Sequence, residues 1–222
     1  MNPFKFIMSV PKTIYINFKC FNIRDAIKLP ITCGYNVILK EIHKGCFEFD
    51  EPIKRNMCSI GMNEGSFRMG AGRKSYLNIS GGGGKIRIKN YAHFAAPVVL
   101  NVTSGCLSVG RDFSSNTGFV VSCGKNISIG DDCAVGWNVT IIDGDGHDVF
   151  DNCENISNLP EEIHIGNHVW LCAEVSCLKG TLIPDNSIVG YGSIVSGQFN
   201  ENNMLYWNRR EMAHKHITHW EK

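Results

Sequence analysis

Every sixth residue from Ile165 onward is aliphatic or small and apolar: Leu171, Cys177, Ile183, Val189 and Val195 follow in unbroken register. Four places after the rungs stand Val169, Val175, Thr181, Ser187, Ser193 and Phe199, most of them small or β-branched. An α-helix repeats about every 3.6 residues and an ordinary strand every second one, so neither accounts for a strict six-residue rung. A triangular coil does. Three hexads make one turn, and residues 18 apart, such as Ile165 and Ile183, stack as one interior column. The pattern runs upstream through Ile129-Gly130, Val135-Gly136 and Ile141, and more loosely through Leu107-Ser-Val109, Leu77-Asn-Ile79, Ile86-Arg-Ile88 and Phe47-Glu-Phe49. A β-sandwich also has many short strands and turns, but it imposes no constant hexad. The expectation is an all-β chain: a parallel β-helix over residues 31–199, preceded by an irregular lead-in over 1–30. A strand and short helix over 200–222 would cover the end of the solenoid.

Composition bounds the partners. Lys plus Arg number 22 against 21 Asp plus Glu, a net charge of +1, which gives no chain-wide attraction to nucleic acid or an anionic bilayer. The apolar run Phe4, Phe6, Ile7, Met8 is broken by Lys5 and followed by Pro11, too short for a signal-peptide core or a membrane span. A cytoplasmic protein without stable membrane insertion is the expectation. The ten cysteines include no Cys-x-x-Cys pair, so they read as small buried hydrophobes of a reducing compartment rather than as disulfides or zinc ligands.

His147 comes six residues after Ile141, where the next interior rung is due, yet it sits in Asp143-Gly-Asp145-Gly-His147-Asp148, a polar turn. The coil opens there. Residues 148–162, with Asn152, Asn155, Asn158 and Pro160, read as a loop, although Cys153 and Leu159 keep the register. A histidine titrates near neutrality and suits a general base, and Asp145 or Asp143 could orient its imidazole or hold a substrate hydroxyl. The plainer alternatives are a solvent-facing turn histidine and turn-forming aspartates. Trp170 precedes the rung Leu171 and so points outward, as a subunit contact or a wall for substrate.

The set formed by Asp143-Gly-Asp145-Gly-His147, Val169-Trp170 and the ladder from Ile165 to Val195 resembles the hexapeptide-repeat acyltransferases. Within them it is most similar to the sugar O-acetyltransferases of capsule, O-antigen and exopolysaccharide assembly. The resemblance implies a left-handed β-helix that assembles as a homotrimer and moves an acetyl group directly from acetyl-CoA to a sugar hydroxyl. It implies His147 as the general base with Asp145 beside it, and Asp143 and Trp170 toward the sugar. Trp170, Ala173, Tyr191 and Lys179 would border acetyl-CoA, with the Ala173 backbone N–H as donor to the thioester oxygen; a solvated lysine is the commoner state for Lys179. The loop after His147 would fold over a neighbouring subunit's groove, and no metal is implied. One stretch departs from the family. Where a small residue followed by Gly-Asn-Pro-Ala is usual, this chain has Met204-Leu-Tyr-Trp-Asn208-Arg-Arg210; the resemblance implies that this region lies near the outer end of the cofactor groove.

Other chemistries are weaker. Cys172 could pair with a histidine as an acyl-enzyme nucleophile, but it occupies a small-residue position of a coil. His164, His168, His214, His216 and His219 fit no metal-ligand spacing, and Gly81 to Gly84 lack the Lys-Ser/Thr of a P-loop and suit a turn. Acetylation of an amine, on a nucleotide-linked amino sugar or an antibiotic, and a non-catalytic scaffold remain the competing functions.

Overall fold

The computed structural model describes residues 3–64, 73–150 and 154–208. Their strands form three wholly parallel sheets of eight, seven and six strands, and in each sheet neighbours in space are almost always three strands apart in sequence. The chain therefore visits the three sheets in rotation. This is the left-handed parallel β-helix, with each sheet as one wall of a triangular prism. The first face carries Ala134–Val135, Trp170–Leu171 and Ile188–Val189; the second carries Thr140–Ile142, Ser176–Cys177 and Ile194–Val195; the third carries Asn126–Ile129, Ile163–Ile165 and Leu182–Ile183.

Register follows the hexads. Leu171 pairs with Val189 on the first face, Cys177 with Val195 on the second and Ile165 with Ile183 on the third. All six are buried. In the next coil back the spacing doubles: Val135 pairs with Leu171, Ile141 with Cys177 and Ile129 with Ile165. An insertion one coil long therefore lies between the second and third faces, and it holds His147. It forms a loop with one antiparallel bridge, Phe150 to Ile156, and leaves Leu159 exposed. Corner residues such as Asp132, His168 and Asn186 take positive φ near +55°, and the first two are joined by a 2.8 Å contact from His168 Nδ1 to Asp132 Oδ2. Further back the coils widen around an aromatic centre, where Phe94 lies 5.3 Å from Phe113 and 6.4 Å from Phe119 between ring centroids.

The lead-in is helical rather than irregular: α1 (Pro3–Cys20), with Pro11 inside it, and α2 (Ile23–Ala26). The inward face of α1 is partly polar. Ser9, Thr13 and Asn17, spaced four apart and so on one side of the helix, are buried with Ile16 and Cys20. They meet the open edge of the first strand, Ile31–Cys33. Asn17 donates to Ile31 O at 2.7 Å and accepts from Ile31 N at 3.1 Å, Thr13 Oγ1 accepts from Cys33 N at 3.0 Å, and Ser9 Oγ accepts from Tyr35 N at 3.0 Å. The helix thus supplies side-chain partners that a further strand would supply with its backbone, and an open edge is closed. Its outward face carries Phe4, Ile7, Ile14 and Phe18, all exposed.

At the other end, Leu205–Tyr206 adds a last strand to the first face. Asn208 then donates to Ile194 O at 2.7 Å. The short helix expected over the rest of 200–222 lies outside the described residues. Among the described residues no helix is long and apolar enough to cross a membrane.

Asn17→Ala removes both side-chain partners of Ile31 in a fully buried setting. The expected cost is about 2 kcal/mol or more in denaturant unfolding, because two buried backbone groups lose their bonds, with faster amide exchange at Ile31. A stability loss no larger than that of an exposed substitution would show that the clamp is not needed.

Candidate active site

The sequence-predicted residues fall at two different corners of the prism. His147, Asp145, Asp143 and Lys179 lie between the second and third faces; Trp170, Ala173 and Tyr191 lie on the first face and at the corner that follows it. Within one chain the two groups are separated by the width of the second face.

At the first of these corners the loop has a firm base. Asp143 is 1% exposed, and its two carboxylate oxygens accept from Gly124 N at 2.7 Å and Lys125 N at 2.8 Å. It therefore ties the loop to the preceding coil, as a turn-forming aspartate does, and its side chain is turned away from solvent. Asn158 is the second fastening: it donates to His147 O at 2.7 Å and to Asp145 Oδ2 at 3.0 Å, and accepts from Val149 N at 2.7 Å. Lys179 Nζ reaches Asp145 Oδ2 at 2.6 Å and Asn158 O at 3.2 Å. Asp145 is thus bonded to Lys179 and Asn158 rather than to the imidazole of His147. The Lys179 ammonium and the Asn158 amide hold the Asp145 carboxyl below the usual carboxylate range. His147 itself is exposed, and so are Val149, Phe150 and Leu159 beyond it.

The second corner opens beside a trough of 630 Å³ on the outer surface of the first face, bordered by His93, Ser114, Asn116, Trp137, Trp170 and Ala173. Strand register sets its shape: His93 pairs with Ser114, Ser114 with Ala134 and Ala134 with Trp170. Two small residues form the floor between an imidazole and an indole. Burial lowers the His93 pKa from its ordinary value, which favours the uncharged ring. Trp137, Ala173 and Tyr191 each stand two residues past a paired rung, Val135, Leu171 and Val189, and stack along one corner. The Ala173 N–H donates no hydrogen bond among the described residues, and Gly136 leaves it open: a Cβ at Gly136 would lie 2.6 Å from that nitrogen. Tyr191, one coil on, is 73% exposed. Trp207, from the stretch that departs from the family pattern, lies against Gly190 and is also exposed.

Cys172 has a pKa raised by burial, which disfavours the thiolate an acyl-enzyme requires. Among the described residues no three His, Cys, Asp or Glu side chains converge as a metal site; His164 instead meets Ser128 Oγ at 2.8 Å and Glu162 at 3.3 Å. His214, His216 and His219 lie outside the described residues. Sequence reasoning missed His93, Trp137 and Gly136. The middle position of Ala92-His93-Phe94 carried an outward signal, and Trp137 lies 36 residues before Ala173, one coil and the one-coil insertion back.

No family model matches the chain. Over 101 residues it is 33% identical to the galactoside O-acetyltransferase of Escherichia coli K12, a match covering 45% of this chain and 49% of that protein. Over 97 residues it is 32% identical to the polysialic acid O-acetyltransferase of Escherichia coli O1:K1, covering 43% and 31% respectively. The matches span about half of the first relative and a third of the second. The crystal structure of the polySia-specific acetyltransferase NeuO aligns with a TM-score of 0.48 and 21% identity, over 82% of this chain and 81% of that one. The similarity to sugar O-acetyltransferases implied by the hexad ladder and the Asp143–His147 motif is thus found in the curated relatives.

The Asp145–Lys179 pair makes a titration prediction. A carboxyl whose folded pKa is depressed contributes stability that is complete above its unfolded pKa, about 3.9, and lost as pH falls through the lowered folded value. Lys179→Met should therefore move the Asp145 pKa upward, read from the side-chain carboxyl shift in an NMR titration. An unmoved pKa would assign the effect to Asn158 alone.

Proposed function

We propose that this chain is an acetyl-CoA-dependent O-acetyltransferase whose acceptor is a sugar hydroxyl, of the kind found in surface polysaccharides, and that it works in the cytoplasm as a homotrimer. The observation that carries this reading is the Ala173 amide, left uncovered by Gly136 at the foot of an exposed Trp170. A free backbone N–H in a shallow, partly apolar trough is what a developing oxyanion needs. The curated relatives are O-acetyltransferases of galactosides and of polysialic acid, which supports the same reaction and acceptor class.

Acetyl-CoA supplies an activated acyl group as its thioester. His147 takes the proton from the attacking hydroxyl as its oxygen bonds to the acyl carbon, Ala173 N–H steadies the negative charge on the carbonyl oxygen, and His147 returns the proton to the departing sulfur. Asp145, kept anionic by Lys179, stabilises the imidazolium by charge from two residues away. Trp170 walls the acyl group from water, and Tyr191 extends the cofactor side of the groove. Lys179 serves the loop through Asp145. Its use on a cofactor phosphate would require releasing that bond.

Because His147 and Ala173 sit at different corners, one chain does not assemble both halves. The reading is that the His147 loop of one subunit covers the Trp170 trough of the next, and the exposed Val149, Phe150 and Leu159 suit such a contact. The nine free cysteines of the described residues, most of them buried, support a reducing compartment.

His147→Ala should lower turnover by about 10² to 10⁴ while acetyl-CoA binding, followed by calorimetry, is kept; near-normal turnover would remove the mechanism. Mixing His147→Ala chains with Trp170→Ala chains should restore part of the activity in mixed oligomers. Inactive mixtures that still co-assemble would argue against a shared site.

A further inference from the structure

Thr32, Ser59, His93, Ser114, Ala134 and Trp170 stand side by side on the outer surface of the first face, one from each of six successive paired strands. Parallel neighbours lie about 4.8 Å apart, so the row from Trp170 to Thr32 is about 24 Å long. Two cavities lie along it. The 630 Å³ trough covers His93 to Trp170, and a second of 430 Å³ lies over Thr32 and Ser59, walled by the flank of α1. Ser59 pairs directly with His93, so no strand separates the two.

The lining is largely uncharged along this length. Ser59, Asn63, Ser114 and the half-buried His93 ring line the groove with Thr32, whose hydroxyl donates to Asn56 Oδ1, and Asn116, whose amide oxygen accepts from Thr117 N, while Val10, Ile14 and Met62 give its α1 end an apolar side. The uncharged imidazole that burial favours at His93 can both donate and accept. Among the described residues no carboxylate and no lysine borders either stretch, and Arg55 alone is charged. A nucleic acid strand would meet too little positive charge there. A peptide adding as a strand would need an unpaired sheet edge, and each lining strand from Ile31 to Leu171 lies within the sheet or beneath α1. Dense neutral hydrogen-bonding groups opposite apolar surface match a carbohydrate, with hydroxyls on its edges and C–H groups on its faces.

Under the proposed transfer reaction, on which this inference rests, the acetyl donor occupies the corner of Ala173 and Tyr191. The row from Trp170 back to Thr32 is then left to the acceptor. We infer that the acceptor is a glycan of several sugar units lying along the first face, its reacting hydroxyl at Trp170 and its far end between Ser59 and α1.

The test uses the whole chain and galactose- and sialic-acid-terminated glycans graded from one sugar unit to several. Binding is measured without acetyl-CoA by saturation-transfer NMR, and acetyl transfer by kcat/KM. Longer glycans should bind more tightly and react roughly tenfold or more better than the single sugar. Ser59→Trp, with its fold checked by thermal unfolding, should bring the ratio of long to short close to one. Equal binding and equal kcat/KM across lengths, or a length preference untouched by Ser59→Trp in a folded protein, overturns the inference. Length-dependent binding without any acetyl transfer would instead sink the transferase reading and leave the subsite standing.

Discussion

Every coil of this molecule must meet the coil beneath it in parallel register, and that single constraint sets both its interior and the outer surface of its faces. Ile165 over Ile183, and Leu171 over Val189, put aliphatic side chains inside. Side chains alternate across a strand, so the same pairings place Ala134, Trp170 and Ile188 outside in a second column. A slip of one residue would exchange the faces and send Trp170 into the core. The trough is therefore a consequence of core register, and its floor is flat because the outward residues on two neighbouring strands, Ser114 and Ala134, happen to be small.

A solenoid built this way has two open ends. The N-terminal end shows how strongly unpaired backbone drives local structure. Apolar periodicity would turn the Phe4, Ile7, Ile14 and Phe18 side of α1 inward, yet the buried side is the one holding Ser9, Thr13 and Asn17. The edge of Ile31–Cys33 presents donors and acceptors, and polar side chains at four-residue spacing match them one by one. Leaving those groups buried and unpaired would be costly, and α1 satisfies them with its polar side while Phe4, Phe6, Ile7, Met8 and Phe18 stay exposed. Pro11 is accommodated inside the same helix because tertiary bonds on both sides of it fix the helix axis.

The coil was legible from Ile129 to Val195 because each rung there repeats at constant spacing, and because Gly, Asn and Asp mark the corners. It was less legible before residue 105, where the Phe94, Phe113 and Phe119 cluster widens the coils and breaks the count. The lead-in was not legible as a helix because Lys5 and Pro11 interrupt its apolar run, and the side it buries could not be guessed because that side is polar. At the candidate site, the Asp143–His147 motif was visible as a break in the ladder, and Trp170 as an outward aromatic. The part of the trough that a break does not mark, His93 above all, was not. Its significance comes from Ser114 and Ala134 on neighbouring strands, and no single stretch of sequence holds that juxtaposition.

The insertion keeps the hexad register through Leu159 and still leaves the prism. Its first residue, Asp143, is pinned by two amides of the preceding coil, and its return is pinned by Glu161 N donating to Asp143 O at 2.9 Å. Entry and exit therefore meet at one corner, and what lies between is free to fold outward without disturbing any wall. Asn158 and Lys179 then brace the segment from Asp145 to Val149. A loop with a rigid base and an apolar, exposed outer part is poorly explained as a mere connection, since such loops are usually polar and loosely held. It fits the presenting arm of the proposed mechanism: the base would fix where His147 points, and the exposed Val149, Phe150 and Leu159 would be the apolar surface offered to a second subunit. The catalytic reading and the oligomeric one thus depend on the same few bonds at the Asp143 corner.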